Sequence, residues 1–237
     1  MTTLTQFHTA SSAQALAQDL AAFVADRLRE GLSSRGQALL IVSGGSTPLP
    51  FLDALAQLEL AWSQVTVTLA DERWLPPGHA DSNERLVRAH LLQGPAAKAT
   101  FVPMYTGEAT PMQAHGLLEA SMAALPWPAD AVVLGMGSDG HTASLFPDAP
   151  ELPAALDASR LERCLAVAAP PLPNVPVPRI SLTRRALLDA RALVIHITGP
   201  GKWALLQQAQ QTGPIEALPI RLAWQQSQVP CHVFYAD

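Results

Sequence analysis

The chain has 237 residues, of which 49 % are hydrophobic and 15 % are charged. This balance is typical of one large or two small globular domains and excludes an intrinsically disordered chain. The net charge of −5 argues against nucleic acid as the main partner. No apolar run approaches the roughly 20 residues of a membrane helix, so we expect no membrane partner.

The first residues of the chain carry no basic cluster followed by an apolar core, which predicts the absence of a secretory signal. Cys164 and Cys231 are the only cysteines. Two distant cysteines without such a signal are expected to stay reduced in a cytosol. We therefore expect a cytoplasmic protein.

Apolar runs that end in turn residues predict eight strands. These strands cover residues 37–43, 65–71, 101–105, 130–137, 164–169, 179–183, 191–198 and 231–236. Helical spacing of apolar residues, with Ser or Pro near the start of several segments, predicts five helices. These helices cover residues 12–31, 48–58, 82–92, 111–124 and 199–210. Strands that alternate with helices predict an α/β fold with a mostly parallel sheet flanked by helices.

The pattern is least regular between about residues 140 and 180. Residues 170–178 include five prolines in nine positions, which predicts an extended surface segment. The strand-like residues 179–183 follow at once, so this segment is not interpreted as a domain linker. We predict a single α/β domain over 1–237, with room for a small subdomain around 140–180.

Polar, charged and small residues follow four of the predicted strands. Ligands of open α/β sheets bind beyond the carboxyl ends of strands. The four segments are 43–48, 71–73, 137–142 and 199–202. Together they predict one site that binds an anion and handles a proton.

The segment SGGSTP begins at Ser43 and joins a predicted strand to a predicted helix. Gly44 and Gly45 would let the backbone approach an anion closely, and Ser46 and Thr47 offer hydroxyl groups beside helix N-terminal amides. The alternative is a strand-to-helix turn with a Ser or Thr cap. The segment is not a Walker loop, because G-x-x-x-x-G-K-[ST] does not occur in the chain.

Three charged residues, Asp71, Glu72 and Arg73, follow the second predicted strand. Burying all three would be costly. Arg73 could clamp a carboxylate, a phosphate or an oxyanion. The alternative is a solvated loop with a local ion pair.

Residues 134–147 read LGMGSDGHTASLFP, in which Gly135, Gly137 and Gly140 match the dinucleotide fingerprint G-x-G-x-x-G. That fingerprint belongs at the first strand of a βαβ unit and leads into a long helix, whereas this match lies mid-chain and Pro147 soon follows. The distinctive residues are Asp139 and His141. A His beside a carboxylate in a glycine-rich loop predicts a general base. The alternative is a His that bridges backbone groups.

Lys202 lies at a predicted helix start after Gly199-Pro200-Gly201, where a cation opposes the helix dipole unless an anion shares the site. Arg179 is a second candidate cation, and its alternative role is a surface ion pair. The remaining histidines are interpreted as structural. They are His8, His79, His90, His115, His196 and His232, of which His79 is the least certain because it lies in the loop after Arg73.

Other catalytic signatures are absent from the sequence. There is no G-x-S-x-G, H-E-x-x-H or paired C-x-x-C motif and no carboxylate-rich metal loop. We therefore expect neither a serine hydrolase nor a metalloenzyme.

Five segments in the same order resemble the 6-phosphogluconolactonase family, within the superfamily that includes glucosamine-6-phosphate deaminases and ribose-5-phosphate isomerases. The segments are SGGSTP, LADERWLPPGHADSNERL, LGMGSDGHTASLFP, RISLT and TGPGK. They span nearly the whole chain. The resemblance implies a modified Rossmann-like fold and hydrolysis of 6-phospho-D-glucono-1,5-lactone to 6-phosphogluconate, in the oxidative pentose phosphate pathway, without a metal or an organic cofactor.

The resemblance also implies residue roles. His141 would be the general base, Arg73 would stabilise the oxyanion or orient the substrate, and Asp139 and Asp71 would orient their partners. Phosphate contacts would come from residues of the first loop and two later cations. These residues are Gly44, Gly45, Ser46, Thr47, Arg179 and Lys202. The expected partner is a phosphosugar lactone, and the expected state is a monomer or a weak homodimer.

Two other functions fit parts of the pattern. A glucosamine-6-phosphate deaminase would share the loop around His141 but has a carboxylate soon after the His, where this chain has Phe146 and Pro147, with Asp148 offset. A non-catalytic sugar-phosphate sensor would need no base, and it usually carries a DNA-binding or partner-binding segment. No basic helix-turn-helix candidate is visible.

Overall fold

A computed structural model describes residues 5–171 and 173–237. Within these ranges there are ten strands: β1 (Thr5–Thr9), β2 (Ala38–Val42), β3 (Val65–Leu69), β4 (Asp71–Arg73), β5 (Thr100–Phe101), β6 (Ala131–Leu134), β7 (Cys164–Val167), β8 (Arg179–Leu182), β9 (Leu193–Thr198) and β10 (Cys231–Ala236). The same described residues form eight α-helices: α1 (Ala13–Arg35), α2 (Leu49–Ala56), α3 (Asn83–His90), α4 (Pro111–Ala123), α5 (Leu152–Leu156), α6 (Arg184–Leu188), α7 (Pro200–Gln210) and α8 (Arg221–Trp224).

Seven strands form one parallel sheet in the order β1-β10-β9-β6-β2-β3-β5. Its central strands are continuous apolar runs, such as ALLIV in β2, and every residue of β2 and β6 is buried. Such runs are typical of parallel strands that helices cover on both faces. The predicted α/β class with a mostly parallel sheet flanked by helices is confirmed. Strand β1 was not predicted.

Helix α1 begins after Ser12, whose side chain accepts a hydrogen bond from the backbone N–H of Ala15. The predicted end at Gly31 is wrong, because the helix continues to Arg35 and ends at Gly36, which has φ +70°. Gly31 instead allows a close approach: a Cβ there would lie 2.3 Å from an Asp130 carboxylate oxygen. A glycine inside a helix costs about 1 kcal/mol relative to Ala, and here that close contact requires it.

The predicted strand 65–71 divides into two. Strand β3 ends at Leu69, and β4 begins at Asp71 in a separate antiparallel sheet of order β4-β8-β7. Ala70 joins the two sheets, since its N–H donates to the carbonyl of Val42 and its carbonyl accepts from the N–H of Leu182. The three-stranded sheet takes two strands from the irregular region around 140–180, and β4 attaches them to the main sheet.

The predicted strand 101–105 is too long, because only Thr100–Phe101 pair with β3. Pro103 lacks the N–H that would continue the ladder. Both cysteines are buried and free. Among the described residues, no helix is long and apolar enough to cross a membrane.

Candidate active site

A cavity of about 230 Å³ lies where β2, β6 and β9 end, beside the three-stranded sheet. Most of the predicted site residues line it: Gly44, Gly45, Ser46, Thr47, Asp71, Arg73, His141, Arg179 and Lys202. Asp139 does not line the cavity but contacts His141. Residues separated by up to 158 positions in the chain therefore meet at the carboxyl ends of the strands, where the sequence analysis predicted them to lie.

The first loop wraps one end of the cavity between β2 and α2. Gly45 has φ +96°, a conformation that favours glycine. Gly44 is required for a different reason, since a Cβ there would lie 1.9 Å from the amide oxygen of Asn83. The loop thus brings its backbone against Asn83 and exposes Ser46 and Thr47 to the cavity.

His141 is held by Asp139. Its ring Nδ1 lies 2.5 Å from an Asp139 carboxylate oxygen, and its backbone N–H donates to the same oxygen at 3.1 Å. Burial alone would raise the pKa of Asp139, but the hydrogen bond and charge of His141 outweigh it and lower the pKa to about 2. An ionised carboxylate only accepts hydrogen bonds, so Nδ1 is the donor in this contact and Nε2 is the ring nitrogen left for other partners.

The glycines around His141 shape this loop and do not form a nucleotide cradle. A Cβ on Gly137 would lie 2.2 Å from the His141 ring, and Gly140 has φ +80° with Leu218 packed against it. The N–H of Gly137 donates to the carbonyl of His141 at 2.9 Å, which closes the turn. No long helix follows, which supports the prediction that the dinucleotide pattern is coincidental.

The three-stranded sheet presents charged residues on one face. Arg73 of β4 is the register partner of Arg179 of β8, and Asp71 is the partner of Ser181. Side chains alternate along a strand, so Asp71 and Arg73 share the face towards the cavity. Like charges directly opposite each other repel, and an anion bound between the two arginines would relieve this repulsion.

Arg179 is 4 % exposed, and one guanidinium nitrogen lies 3.8 Å from an Asp71 oxygen. Burial lowers the pKa of Arg179, and the charge of Asp71 opposes that shift. The other Asp71 contacts are with Ser144, whose hydroxyl donates at 2.5 Å, and with the amide of Asn83. The alternative in which Asp71, Glu72 and Arg73 form a solvated loop is wrong, because they form a strand and Asp71 and Glu72 are buried.

Glu72 points to the opposite face of β4 and is fully buried. One carboxylate oxygen accepts from the backbone N–H groups of Arg73 and Asn83 at 2.7 and 2.8 Å. The other accepts from the N–H of Glu84 at 2.7 Å and from the Ser82 hydroxyl at 3.1 Å. Burial raises the pKa of Glu72 to about 7, against the backbone N–H bonds that favour its ionised form. Glu72 thereby ties the start of α3 to β4 and fixes Arg73 and Asn83 at the cavity.

Lys202 lies in the first turn of α7, and its ammonium group donates to the carbonyl of Met136. Burial lowers the pKa of Lys202, whereas the charge of Asp139 raises it. Three cations and one carboxylate line the cavity of a chain whose net charge is −5. The local field of the cavity therefore favours an anion.

Eleven buried side-chain polar atoms have no hydrogen-bond partner among the described residues, and five of them belong to cavity residues. The five are Ser43 Oγ, Arg73 Nε, Asn83 Oδ1, Arg179 Nε and His196 Nδ1. The large majority of buried side-chain polar atoms in proteins have a hydrogen-bond partner. Their concentration here makes this cavity the leading candidate for a ligand site.

Two of these five residues, Asn83 and His196, lie outside the four predicted site segments and were not predicted to bind the ligand, and Ser43 lies in segment 43–48 but was not assigned a contact. His196 interrupts the apolar run of β9, and that signal could have identified it. Asn83 had no comparable signal, because only the fold brings α3 beside Gly44. His79 lies outside the cavity lining, and its ring nitrogen accepts from the N–H of Asp81 at 3.1 Å.

One group of potential metal ligands occurs among the described residues, and it lies between α4 and β7. It consists of His115, Glu119 and Cys164. The Glu119 carboxylate accepts from the N–H groups of Arg163 and Cys164, and a ring nitrogen of His115 lies 3.1 Å from the Cys164 carbonyl. These contacts account for the cluster as packing between a helix and a strand. Metal independence of the site stays a prediction.

The fold and the cavity together define an α/β protein with a small cationic pocket and a carboxylate-held His. A family model described as glucosamine-6-phosphate isomerases/6-phosphogluconolactonase matches residues 11–231. The chain belongs to this family.

Similar proteins cover nearly the same length. A 6-phosphogluconolactonase from Pseudomonas aeruginosa is 48 % identical over 210 residues, which are 89 % of this chain and 87 % of that protein. One from Rhizobium meliloti is 42 % identical over 229 residues, 97 % of each chain. The crystal structure of a 6-phosphogluconolactonase from Shewanella baltica has a TM-score of 0.94 at 39 % identity and covers 98 % of both chains.

Proposed function

We propose that this protein hydrolyses 6-phospho-D-glucono-1,5-lactone to 6-phospho-D-gluconate. The observation that carries the proposal is the His141–Asp139 pair at the edge of a cavity lined by three cations. The relatives named 6-phosphogluconolactonase match almost the full length of this chain, and they support the same reaction.

The proposed chemistry is general-base hydrolysis. Nε2 of His141 takes a proton from water as the oxygen of that water attacks the lactone carbonyl. The tetrahedral oxyanion collapses, the ring C–O bond breaks, and His141 returns its proton to the departing ring oxygen. The products are a carboxylic acid, which loses its proton to solvent and becomes the carboxylate, and a free hydroxyl. General-base catalysis of this kind contributes about 10²–10⁴-fold.

In this proposal the three cations bind different ends of the substrate. Arg73 stabilises the oxyanion or orients the lactone, with its Nε unpartnered and one terminal nitrogen fixed on the Asp81 carbonyl at 2.7 Å. Arg179 and Lys202, with the backbone and hydroxyl groups of residues 44–47, hold the phosphate. Asp71 holds Arg179, Asn83 and Ser144 in place.

The remaining parts of the proposal follow from the sequence and from its resemblance to the family. The reaction needs no metal or organic cofactor, belongs to the oxidative pentose phosphate pathway and takes place in the cytoplasm. The protein acts as a monomer or a weak homodimer and binds no nucleic acid or membrane. The substrate is the only partner that the reaction requires.

A deaminase from the same family is the second candidate. That reaction opens a sugar ring and moves a proton at C2, which favours a further acid–base group soon after the His. Here the next carboxylate is Asp148, which does not line the cavity. Phe146 occupies the position beside His141 instead, with the ring centroids 4.5 Å apart. This packing favours the lactonase.

The test is to generate the lactone from glucose 6-phosphate in situ and to measure its disappearance against the spontaneous rate. We expect faster decay that rises in proportion to protein concentration. No acceleration at micromolar protein would contradict the proposal. Glucosamine 6-phosphate serves as the matched substrate, and release of ammonia from it would favour the deaminase.

A further inference from the structure

His196 is a buried imidazole in the wall of the cavity without a role in the proposed mechanism. It is 4 % exposed and lies in β9, among Val194, Ile195 and Ile197. Neither ring nitrogen hydrogen-bonds to any residue within 5–171 or 173–237, and Nδ1 is buried without a partner. A buried ring nitrogen without a hydrogen-bond partner is unfavourable unless a ligand supplies that partner.

The ring of His196 is held in place by apolar packing. Phe51 of α2 lies edge-on to it, with 6.2 Å between the ring centroids. Burial, and then the charge of Lys202, lower the pKa of His196 to about 4. At pH 7 the ring is therefore neutral and offers one N–H donor and one lone pair.

The surroundings of His196 favour negative charge. Lys202 lines the same cavity from the first turn of α7. The N-terminal end of an α-helix carries a partial positive charge and unpaired N–H groups, which stabilise a nearby anion. The oxygens of a dianionic phosphate only accept hydrogen bonds, so a neutral imidazole beside Lys202 pairs with them through its N–H.

We propose that His196 is a specificity-determining residue that donates a hydrogen bond to the phosphate group held by Lys202. The inference rests on the proposed phosphate site. It adds an uncharged donor to the cations of that site. Because neither ring nitrogen is committed to the protein, the phosphate completes a hydrogen bond that the fold leaves open.

The test compares His196→Phe, which keeps a flat ring and removes the donor, with His196→Gln, which keeps an N–H donor. The dissociation constants of 6-phospho-D-gluconate and of inorganic phosphate are measured by calorimetry at pH 7.5. We expect His196→Phe to weaken both ligands by about tenfold, the effect of one hydrogen bond to a charged group. His196→Gln should stay within about threefold of wild type, because the amide restores most of that bond.

His232→Phe is the matched control, since His232 is also a buried imidazole of the main sheet but does not line the cavity. It should leave both dissociation constants unchanged. Wild-type affinity of His196→Phe for both ligands would overturn the inference. A loss confined to 6-phospho-D-gluconate would overturn it too, because the lost contact would then be with the sugar.

The measurement uses binding alone, so its outcome is separable from that of the lactone assay. If the wild-type protein does not accelerate lactone decay, the proposed function is wrong. The binding of phosphate can still be measured in that case. An active wild-type protein whose His196→Phe variant binds both ligands normally would remove only the role of His196.

Discussion

Buried imidazoles lie in the seven-stranded sheet, at His196 and His232, whereas buried charged groups lie in the three-stranded sheet, at Asp71, Glu72 and Arg179. The parallel sheet is covered by helices and offers few partners for a charge, and burial lowers the pKa of both imidazoles to about 4. In the small sheet each charge has partners: Arg179 faces Asp71, and Glu72 accepts four hydrogen bonds.

The difference shows how the fold assembles a charged site without placing charged side chains in the strands of the parallel sheet. The buried Asp130 precedes β6 and is paired with Arg35. The parallel sheet supplies rigid strand ends, from which the loops at 43–48 and 137–142 and the start of α7 reach the cavity. The small sheet supplies a wall on which cations are held by pairing. Burying a charge without such partners would cost several kcal/mol.

The loop that follows β6 carries the proposed chemistry, so replacing its His should give the largest effect. His141→Ala should lower the enzyme-catalysed rate of lactone hydrolysis by about 10²–10⁴-fold, because the general base is lost. The affinity for 6-phospho-D-gluconate, measured by calorimetry, should remain close to wild type. The rate is measured as lactone decay above the spontaneous reaction.

His90→Ala is the matched control, since His90 contacts Asp53 at 2.8 Å and lies outside the cavity. It should keep the wild-type rate. Full activity of His141→Ala would remove His141 as the base and would shift the chemistry towards the small sheet.

Substitutions in the small sheet should affect binding of the lactone more than the rate of its hydrolysis. Arg179→Lys keeps the charge but loses the planar fork that can contact both Asp71 and an anion. We expect the KM for the lactone to rise by about 10–100-fold, in line with the loss of one or two hydrogen bonds to charged groups, and kcat to change less. Steady-state kinetics on the in situ lactone gives both constants.

Arg185→Lys, at an exposed position of α6, is the control and should leave both KM and kcat unchanged. If Arg179→Lys lowers kcat and leaves KM unchanged, Arg179 acts on the transition state rather than on phosphate, and its proposed role is wrong.

Glu72 tests whether the hydrogen bonds to a buried carboxyl group stabilise the small sheet. Burial raises the pKa of Glu72, so its charge by itself is unfavourable, but Glu72→Gln places an amide N–H₂ group against N–H donors that now face an acceptor oxygen. Because those bonds are lost, we expect the free energy of unfolding to fall by about 2 kcal/mol, measured by urea denaturation. Glu59→Gln, at an exposed position, should change it by less than about 0.5 kcal/mol. Equal stability of the two variants would show that the Glu72 bonds contribute little.

His232 tests whether burial in the main sheet disfavours the charged form of an imidazole. Burial, then the charges of His8 and Arg27, lower its folded-state pKa to about 4 from the ordinary 6.5. The unfolded chain binds the proton first, so the stabilising contribution is complete above pH 6.5 and is lost as pH falls towards 4. We expect wild type to lose about 2 kcal/mol more than His232→Phe over this window.

The pH dependence is measured as urea denaturation of both proteins at several pH values between 7 and 4. If the free energies of unfolding of the two proteins change in parallel with pH, His232 binds its proton equally well in the folded and unfolded chains. Burial in the main sheet would then not disfavour the charged form of this residue.

Several features of the site could be predicted from sequence because each depends on residues that are close together along the chain. A strand followed by small and polar residues identifies a sheet edge, which placed the loops at 43–48 and 137–142 and Lys202 at one cavity. The Ser82 cap of α3 was also predictable, and its hydroxyl accepts from the N–H of Arg85 at 3.2 Å. The contribution of Asn83 was not, because its amide meets Gly44 across 39 positions of chain.

The sequence by itself determined the α/β class, the order of most elements and the four segments that line the cavity, because apolar periodicity and strand-end chemistry are local properties. Only the tertiary structure decided that Asp71–Arg73 form a strand, that Arg73 lies opposite Arg179, and that Glu72 is buried while its neighbours face the cavity. The physical reason is that burial and pairing of a charge depend on partners distant in the chain, which no local pattern specifies.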